Sequence, residues 1–196
     1  YFVLVVDGPK RGAFAQISSN ASSELTVTFV SESFNLSQDG GVTVGDRVEI
    51  MAFPTPSLMF DVNENWDQVE LLLFSNASPG INKSAAKILT YFSGFGWFDE
   101  TGSADDLIIY PDEAFVIRNN TNGALDVELT GSVFADDLRI PLILNADERE
   151  DFVISPNLVS NRTVGSLIPS SVAQNGDEIL LFDNNAVGKN KSAASI

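Results

Sequence analysis

Short apolar segments separated by polar turns make up the first quarter of the chain. Residues 1–6 (YFVLVV) form an unbroken apolar run that ends at Asp7-Gly8-Pro9, the pattern of a buried strand followed by a turn. Residues 25–29 (LTVTF) alternate apolar and polar side chains, which is typical of a strand buried on one face. Residues 47–52 follow a glycine-rich turn and predict another strand.

The middle of the chain continues this pattern and predicts an all-β fold class. Residues 69–74 and 87–93 predict two strands joined by a loop over 75–84. No apolar period of 3.6 residues persists over three turns, so the helix content is predicted to be small, with a single turn at 57–60. We expect antiparallel sandwich-like or barrel-like units, with further strands at 107–110, 114–118, 125–130 and 138–144, the first two forming a hairpin.

One stretch of twenty residues occurs twice. Residues 69–88 and 177–196 align without a gap, and twelve of the twenty positions are identical. The match predicts an internal duplication, with a first unit over 1–145 and a second, truncated copy over 146–196. The charged run 145–151 (NADERED) is predicted to be a solvated linker or a short exposed helix. The shared Asn-Lys-Ser-Ala-Ala string is predicted to be the turn of each copy, because Asn82 and Asn190 suit left-handed backbone.

Composition excludes several classes of partner. The chain has 27 acidic and 11 basic residues, a formal net charge of -16, which opposes nucleic acids and anionic membranes. No apolar run approaches the roughly 20 residues that span a bilayer, so no membrane insertion is expected. Cysteine is absent, so neither disulfides nor thiolate metal sites hold the fold.

The sequence favours a protein without catalytic activity. Histidine and cysteine are both absent, which removes the usual nucleophile and base pairs. A pair of carboxylates, as in glycoside hydrolysis, would be the remaining route to an enzyme. Acids at turns and strand starts usually serve solubility and capping, and that interpretation is preferred for the candidates Asp105, Asp106, Asp112, Glu113, Asp136 and Asp137.

Calcium is the one ionic cofactor that the side chains suggest, because oxygen ligands are plentiful. Residues 61–67 place oxygen-bearing side chains at alternate positions, although Trp66 stands where a calcium loop of the EF-hand type needs Gly. The candidate ligands are Asp61, Asn63, Asn65 and Asp67, and a second oxygen-rich cluster comprises Asn119, Asn120, Asn122 and Asp126. An ordinary polar loop is the alternative at both places.

Aromatic side chains cluster between residues 91 and 110. Trp97, Tyr91 and Tyr110 are candidates for a ligand platform that would stack on sugar rings. Core packing is the preferred interpretation, because aromatic residues on strands normally fill the interior of a β fold.

Several short strings occur in a fixed order along the chain: Gly45–Val48, Leu72–Phe74, Gly80–Ala85, Tyr91-Phe92, Gly96-Trp97 and Tyr110–Arg118. In this combination they resemble an uncharacterised family of exported bacterial proteins found notably in Verrucomicrobia. The resemblance implies export and a repeated β-domain, and hence an extracellular or cell-surface location. It implies no activity, since that family has no assigned catalytic residues.

The difference between the two copies suggests an assembly. The first copy leads into Tyr91-Phe92, whereas the second ends at Ile196 and the chain itself begins with Tyr1-Phe2. We therefore expect the protein to be a subunit of a surface fibre or layer. In this assembly, the first strand of one subunit completes the second unit of the neighbouring subunit. The residues expected at this contact are Tyr1, Phe2, Val3, Leu4, Val5, Val6, Ile179, Leu181 and Ile196. A carbohydrate-binding or surface-ligand-binding adhesion module is the alternative.

Overall fold

The computed structural model describes most of the first 130 residues and parts of the remainder. The described residues are 1–29, 35–37, 40–62, 64–76, 80–130, 138–140, 142, 150–154, 163, 165, 168, 173–186, 188–189 and 191–194. The chain divides into two compact units, Tyr1–Val159 and Ser160–Ile196. The boundary predicted at 145/146 lies outside the described residues.

The first unit is almost entirely antiparallel β-sheet, which confirms the predicted fold class. The first sheet contains β1 (Phe2–Val5), β2 (Phe14–Ala21), β3 (Glu24–Phe29) and β4 (Val48–Met51). Its strand order is β3-β2-β1-β4, so β1 lies inside the sheet and not at its edge. Strand β2 continues through Ser18, Ser19 and Asn20 to Ala21, because β3 pairs with it along that length with a register shift between Ile17 and Ser19.

The second sheet is built around the first copy of the repeat. A helical turn, α1 (Pro56–Met59), and a 3₁₀ turn (Glu64–Trp66) precede it. The strand order is β8-β7-β6-β5-β9, so the repeat strand β5 is paired on both sides. The strands are β5 (Glu70–Phe74), β6 (Lys87–Phe92), β7 (Gly96–Asp99), β8 (Gly102–Ser103) and β9 (Ala114–Arg118).

Each sheet has its own apolar cluster. Phe2, Leu4 and Phe14 pack with Phe53 beneath the first sheet. A larger cluster beneath the second sheet contains Phe60, Trp66, Val69, Leu71, Leu73, Leu89, Tyr91, Trp97, Ala104 and Ile109. Burial of these side chains is the main driving force for forming the two sheets.

The predicted hairpin between 107–110 and 114–118 is wrong. Strand β9 pairs with β5, and residues 107–110 form no strand. The alternating side chains of this stretch face two different clusters: Ile109 belongs to the cluster of the second sheet, and Ile108 and Tyr110 pack against that of the first. Packing on both sides therefore replaces strand pairing. Of the strand predicted at 125–130, only an isolated bridge between Phe60 and Leu129 forms.

Candidate functional site

The loop that joins β5 to β6 forms a cleft. Its volume is about 300 Å³, and residues 80–84 line it together with Ser75 and Ala86. This is the loop of the repeated stretch, including its Asn-Lys-Ser string. We call residues 75–86 the repeat loop. This loop lines the cleft, and several of its residues are identical in the second copy of the repeat.

An extended segment, residues 151–153, is docked on the repeat loop. The side-chain amide of Asn76 donates to the Val153 carbonyl at 3.1 Å and accepts the Val153 N–H at 3.1 Å. The Asp151 N–H donates to the Gly80 carbonyl at 2.9 Å. The Asn82 N–H donates to the Asp151 carboxylate at 2.6 Å. An Asn amide carries a donor and an acceptor side by side, so Asn76 bonds this segment as a neighbouring strand would.

A cation and a ring complete the contact. The Lys83 Nζ lies 5.2 Å from the centroid of the Phe152 ring, within the range of a cation–π interaction. The backbone of the loop is shaped for this contact, since Asn82 has a φ of 53° and Gly80 a φ of 133°. The left-handed conformation expected for Asn82 is therefore confirmed. Each contacting residue of the loop, Asn76, Gly80, Asn82 and Lys83, is identical in the second copy.

The second copy has two of the same local features. Gly188 has a positive φ of 113°, like Gly80, its counterpart in the first copy. The Ala194 N–H donates to the Leu181 carbonyl at 2.7 Å, and in the first copy the Ala86 N–H donates to the Leu73 carbonyl at 2.8 Å. These features are local. Duplication of a whole domain stays a prediction.

Many carboxylates of the protein close turns by accepting backbone N–H groups. The Asp105 carboxylate accepts the Trp97 N–H at 2.8 Å. Hydrogen bonds from the hydroxyl and the N–H of Thr101 hold the pKa of Asp99 below its usual value. Backbone N–H groups two or three residues away in the chain are likewise accepted by Asp46, Glu113, Asp177 and Asp183. The acidic composition thus has a structural use at these turns.

Asp112 and Glu113 are acids whose pKa is raised. Burial raises the pKa of Asp112, and one oxygen of its carboxylate is buried without a hydrogen-bond partner. Burial also raises the pKa of Glu113, although the Tyr110 N–H donates to its carboxylate at 2.9 Å. Of the other candidate acids, Asp106 is exposed, and Asp136 and Asp137 lie outside the described residues. A catalytic carboxylate pair stays untested.

The structure gives the calcium candidates other partners or leaves them at the surface. The Asp67 carboxylate accepts the Ser93 N–H at 2.9 Å, and Asp61 is exposed. Asn63 lies outside the described residues, and Asn65 belongs to the 3₁₀ turn. Within the described ranges, no group of three or more acidic side chains is placed to hold a metal ion.

In the second oxygen-rich cluster, the side chain of Asn119 serves its own turn. Its oxygen accepts the Thr121 N–H at 2.8 Å, and its amide donates to the Gly123 carbonyl at 2.8 Å. Calcium binding at either cluster stays a prediction.

The candidate aromatic platform lies largely in the core. Trp97 is 1% exposed and Tyr91 is 7% exposed, and their rings pack edge to face. The hydroxyl of Tyr110 donates to the Gln16 side chain at 3.2 Å while its ring packs on Phe53. The burial of Trp97 and Tyr91 matches the core interpretation of these two residues, and Tyr110 is partly buried.

The residues expected at an assembly contact are found in different environments. Phe2, Val3, Leu4 and Val5 form the buried interior strand β1, whose partners on both sides come from its own chain. Ile179 and Leu181 are exposed, whereas Ile196 lies outside the described residues. The expected donation of β1 to a neighbour would therefore require this strand to leave its own sheet.

No protein-family model, curated protein or solved structure matches the chain. The helices in the described ranges are too short and too polar to cross a bilayer. Conclusions about function therefore depend on the geometry of this chain.

Proposed function

We propose that this protein is a non-enzymatic structural subunit of a bacterial surface fibre or layer, assembled from copies of itself. The observation that carries the proposal is the edge strand β4. In the described part of the chain it pairs only with β1, and its outer edge is exposed. Val48 is 38% exposed and Ile50 is 58% exposed, side chains that an edge strand normally avoids.

The chemistry of the acids supports a structural role. The carboxylates at several turns use their hydrogen-bonding capacity on backbone N–H groups, which fixes the loops and does not prepare a reacting centre. The net charge of -16 suits a protein that must stay dispersed in salty water until it assembles. The resemblance to exported proteins supports the extracellular location.

The proposed contact between neighbours is strand addition at β4. Main-chain hydrogen bonds would extend the four-stranded sheet, and Val48 and Ile50 would become covered by the added strand. This arrangement leaves β1 inside its own sheet, unlike the donation of β1 that the sequence suggests. It needs no rearrangement of the buried cluster.

Electron microscopy and sedimentation of the purified full chain test the proposal. We expect ordered polymers of the wild-type protein and a critical concentration about tenfold higher for Ile50→Lys, since a charge on an edge strand blocks pairing. Leu58→Lys is the matched control, because Leu58 is 62% exposed but lies on α1 and not on a strand. A wild-type chain that stays monomeric, or equal polymerisation of both variants, would exclude strand addition at β4.

A ligand-binding adhesion module is the second candidate, and one observation favours it. Phe92 and Phe98 pack edge to face at 5.9 Å on the outer side of β6 and β7, and Phe95 is 77% exposed in the turn between these strands. Exposed aromatic faces suit an apolar or sugar ligand better than the buried Trp97 does. Binding on a glycan array that Phe95→Ala abolishes would support this function in place of the first.

A further inference from the structure

The contacts on the repeat loop define what a bound segment must contain. The Asp151 N–H bonds to Gly80, and the N–H and carbonyl of Val153 both bond to Asn76; none of these three hydrogen bonds depends on a side chain of the segment. The two side-chain requirements are an acid at the first position, which accepts the Asn82 N–H, and an aromatic ring at the second, which faces Lys83. The loop thus recognises an extended acidic-aromatic segment, for which it supplies both hydrogen bonds and a cation.

The second copy of the loop has the same recognising residues. Asn184, Gly188, Asn190 and Lys191 stand where the first copy has its four contacting residues. The positive φ of Gly188 and the hydrogen bond from the Ala194 N–H to the Leu181 carbonyl are two features that the described part of this loop shares with the first. Eight of the twenty positions differ between the copies, yet none of the four does. A turn alone would not need all of them, because Lys83 adds nothing to the backbone geometry that Gly80 and Asn82 provide.

In the second copy, Asn184, Gly188 and Lys191 contact no docked segment within the described residues, and Asn190 lies outside those residues. The Asn184 residue is exposed, and its side-chain amide makes no hydrogen bond to the part of the chain that the structure describes. The Lys191 Nζ lies against the carbonyls of Asp183 and Asn184, at 3.4 and 3.3 Å. Two exposed hydrogen bonds of this length stabilise the lysine little, so it can move to meet a ring.

We propose that Asn184, Gly188 and Lys191 form a binding site for an extended peptide segment in which an acidic residue is followed by an aromatic and an aliphatic one. Asn184 would pair with the backbone of the aliphatic residue, the Gly188 carbonyl would accept the N–H of the acidic residue, and Lys191 would cover the ring. The first copy supplies the precedent for the acid, since the Asp151 carboxylate accepts the Asn82 N–H there. The partner is another chain that presents this pattern in extended form. This site goes beyond the proposed assembly and does not depend on the edge of β4.

Fluorescence anisotropy with a labelled peptide of residues 149–155 (REDFVIS) tests the proposal on the full chain. We expect saturable binding. Asn184→Ala removes a donor and an acceptor that together contribute roughly 1.5 kcal/mol, so binding is expected to weaken about tenfold. Asn185→Ala is the matched control, because it lies next in the chain and the first copy has Ala77 at that position. Its affinity is expected to equal that of the wild type.

Substitutions in the peptide leave the protein as wild type, so their effect on binding does not depend on whether a protein variant folds. A peptide with Asn in place of Asp151 and one with Ala in place of Phe152 are each expected to bind at least about fivefold more weakly. The proposal is overturned if the peptide does not bind, or if Asn184→Ala binds as well as Asn185→Ala. It is also overturned if Asn76→Ala alone alters binding, because the peptide would then be exchanging with residues 151–153 on the first loop.

Discussion

Gly96 offers the sharpest test of how the second sheet is held together. It begins β7 with a φ of 102°, a conformation that side chains disfavour. A Cβ at this position would lie 2.5 Å from one oxygen of Asp105 and 2.6 Å from the other. The same carboxylate accepts the Trp97 N–H at 2.8 Å, so Gly96→Ala must displace the group that holds the start of β7.

The size of the effect follows from two contributions. An Ala at positive φ costs about 1–2 kcal/mol. Loss of the acceptor leaves the Trp97 N–H unsatisfied beside a buried side chain, which costs about 1–3 kcal/mol more. We therefore expect Gly96→Ala to lower the free energy of unfolding by about 2–5 kcal/mol. For a protein of this size, each kcal/mol corresponds to roughly 2–4 °C in Tm.

Gly94 provides a control on the same turn. Its φ is 79°, and a Cβ there would meet nothing within 4 Å. Gly94→Ala should therefore show only the backbone cost, about 1–2 kcal/mol. Thermal and chemical denaturation followed by circular dichroism would measure both variants.

A double-mutant cycle isolates the clash with the carboxylate. In the Asp105→Ala background the added Cβ of Gly96→Ala has no carboxylate to displace, so the two substitutions should couple by more than about 0.5 kcal/mol. The reasoning is refuted if Gly94→Ala and Gly96→Ala destabilise the protein equally, or if the effects in the cycle simply add.

Three further predictions concern single side chains. Burial raises the pKa of Asp112, so the stability that the protonated carboxyl contributes is present below the ordinary pKa and is lost as the pH rises through the raised pKa. Asp112→Asn should therefore raise Tm at pH 7 and not at pH 3. Equal gains in Tm at both pH values would contradict this. Asn76→Ala should speed amide hydrogen exchange at Val153 about tenfold by removing its bond acceptor, while leaving β5 protected. Arg118→Ala should lower the free energy of unfolding in urea by at most about 1 kcal/mol, because the ion pair with Glu70 is partly exposed. A larger decrease would contradict the assignment of this pair as a surface contact.

Strands with simple patterns can be predicted from the sequence, because their burial follows from the residues themselves. β1 and most of β5 are apolar, and β3 alternates, so the sequence predicts each of them to within a residue or two. Residues 107–110 are equally apolar and therefore also predict a strand. Their two-sided packing depends on where two separate clusters lie, which a local pattern does not contain.

The candidate site can be predicted only in part. The identical loop residues mark positions 82–86 in the sequence, but the pattern by itself indicates no more than a turn. Asp151 falls in a charged run that predicts a linker, since nothing local shows that its carboxylate meets the Asn82 N–H. The useful signal is the identity of Lys83 and Lys191, because the left-handed backbone of the turn depends on Gly80 and Asn82 and not on a lysine.

Because β1 lies inside its sheet, its two neighbouring strands become available at different times during synthesis. Its pairing with β2 can form early, but Val5 pairs with Val48 on the other side. At about 5–20 residues per second, several seconds of translation separate the two strands. During that interval one edge of an apolar strand faces the surroundings of the nascent chain. The exposed edge of Phe2–Val5 is then a target for a chaperone that binds short apolar segments.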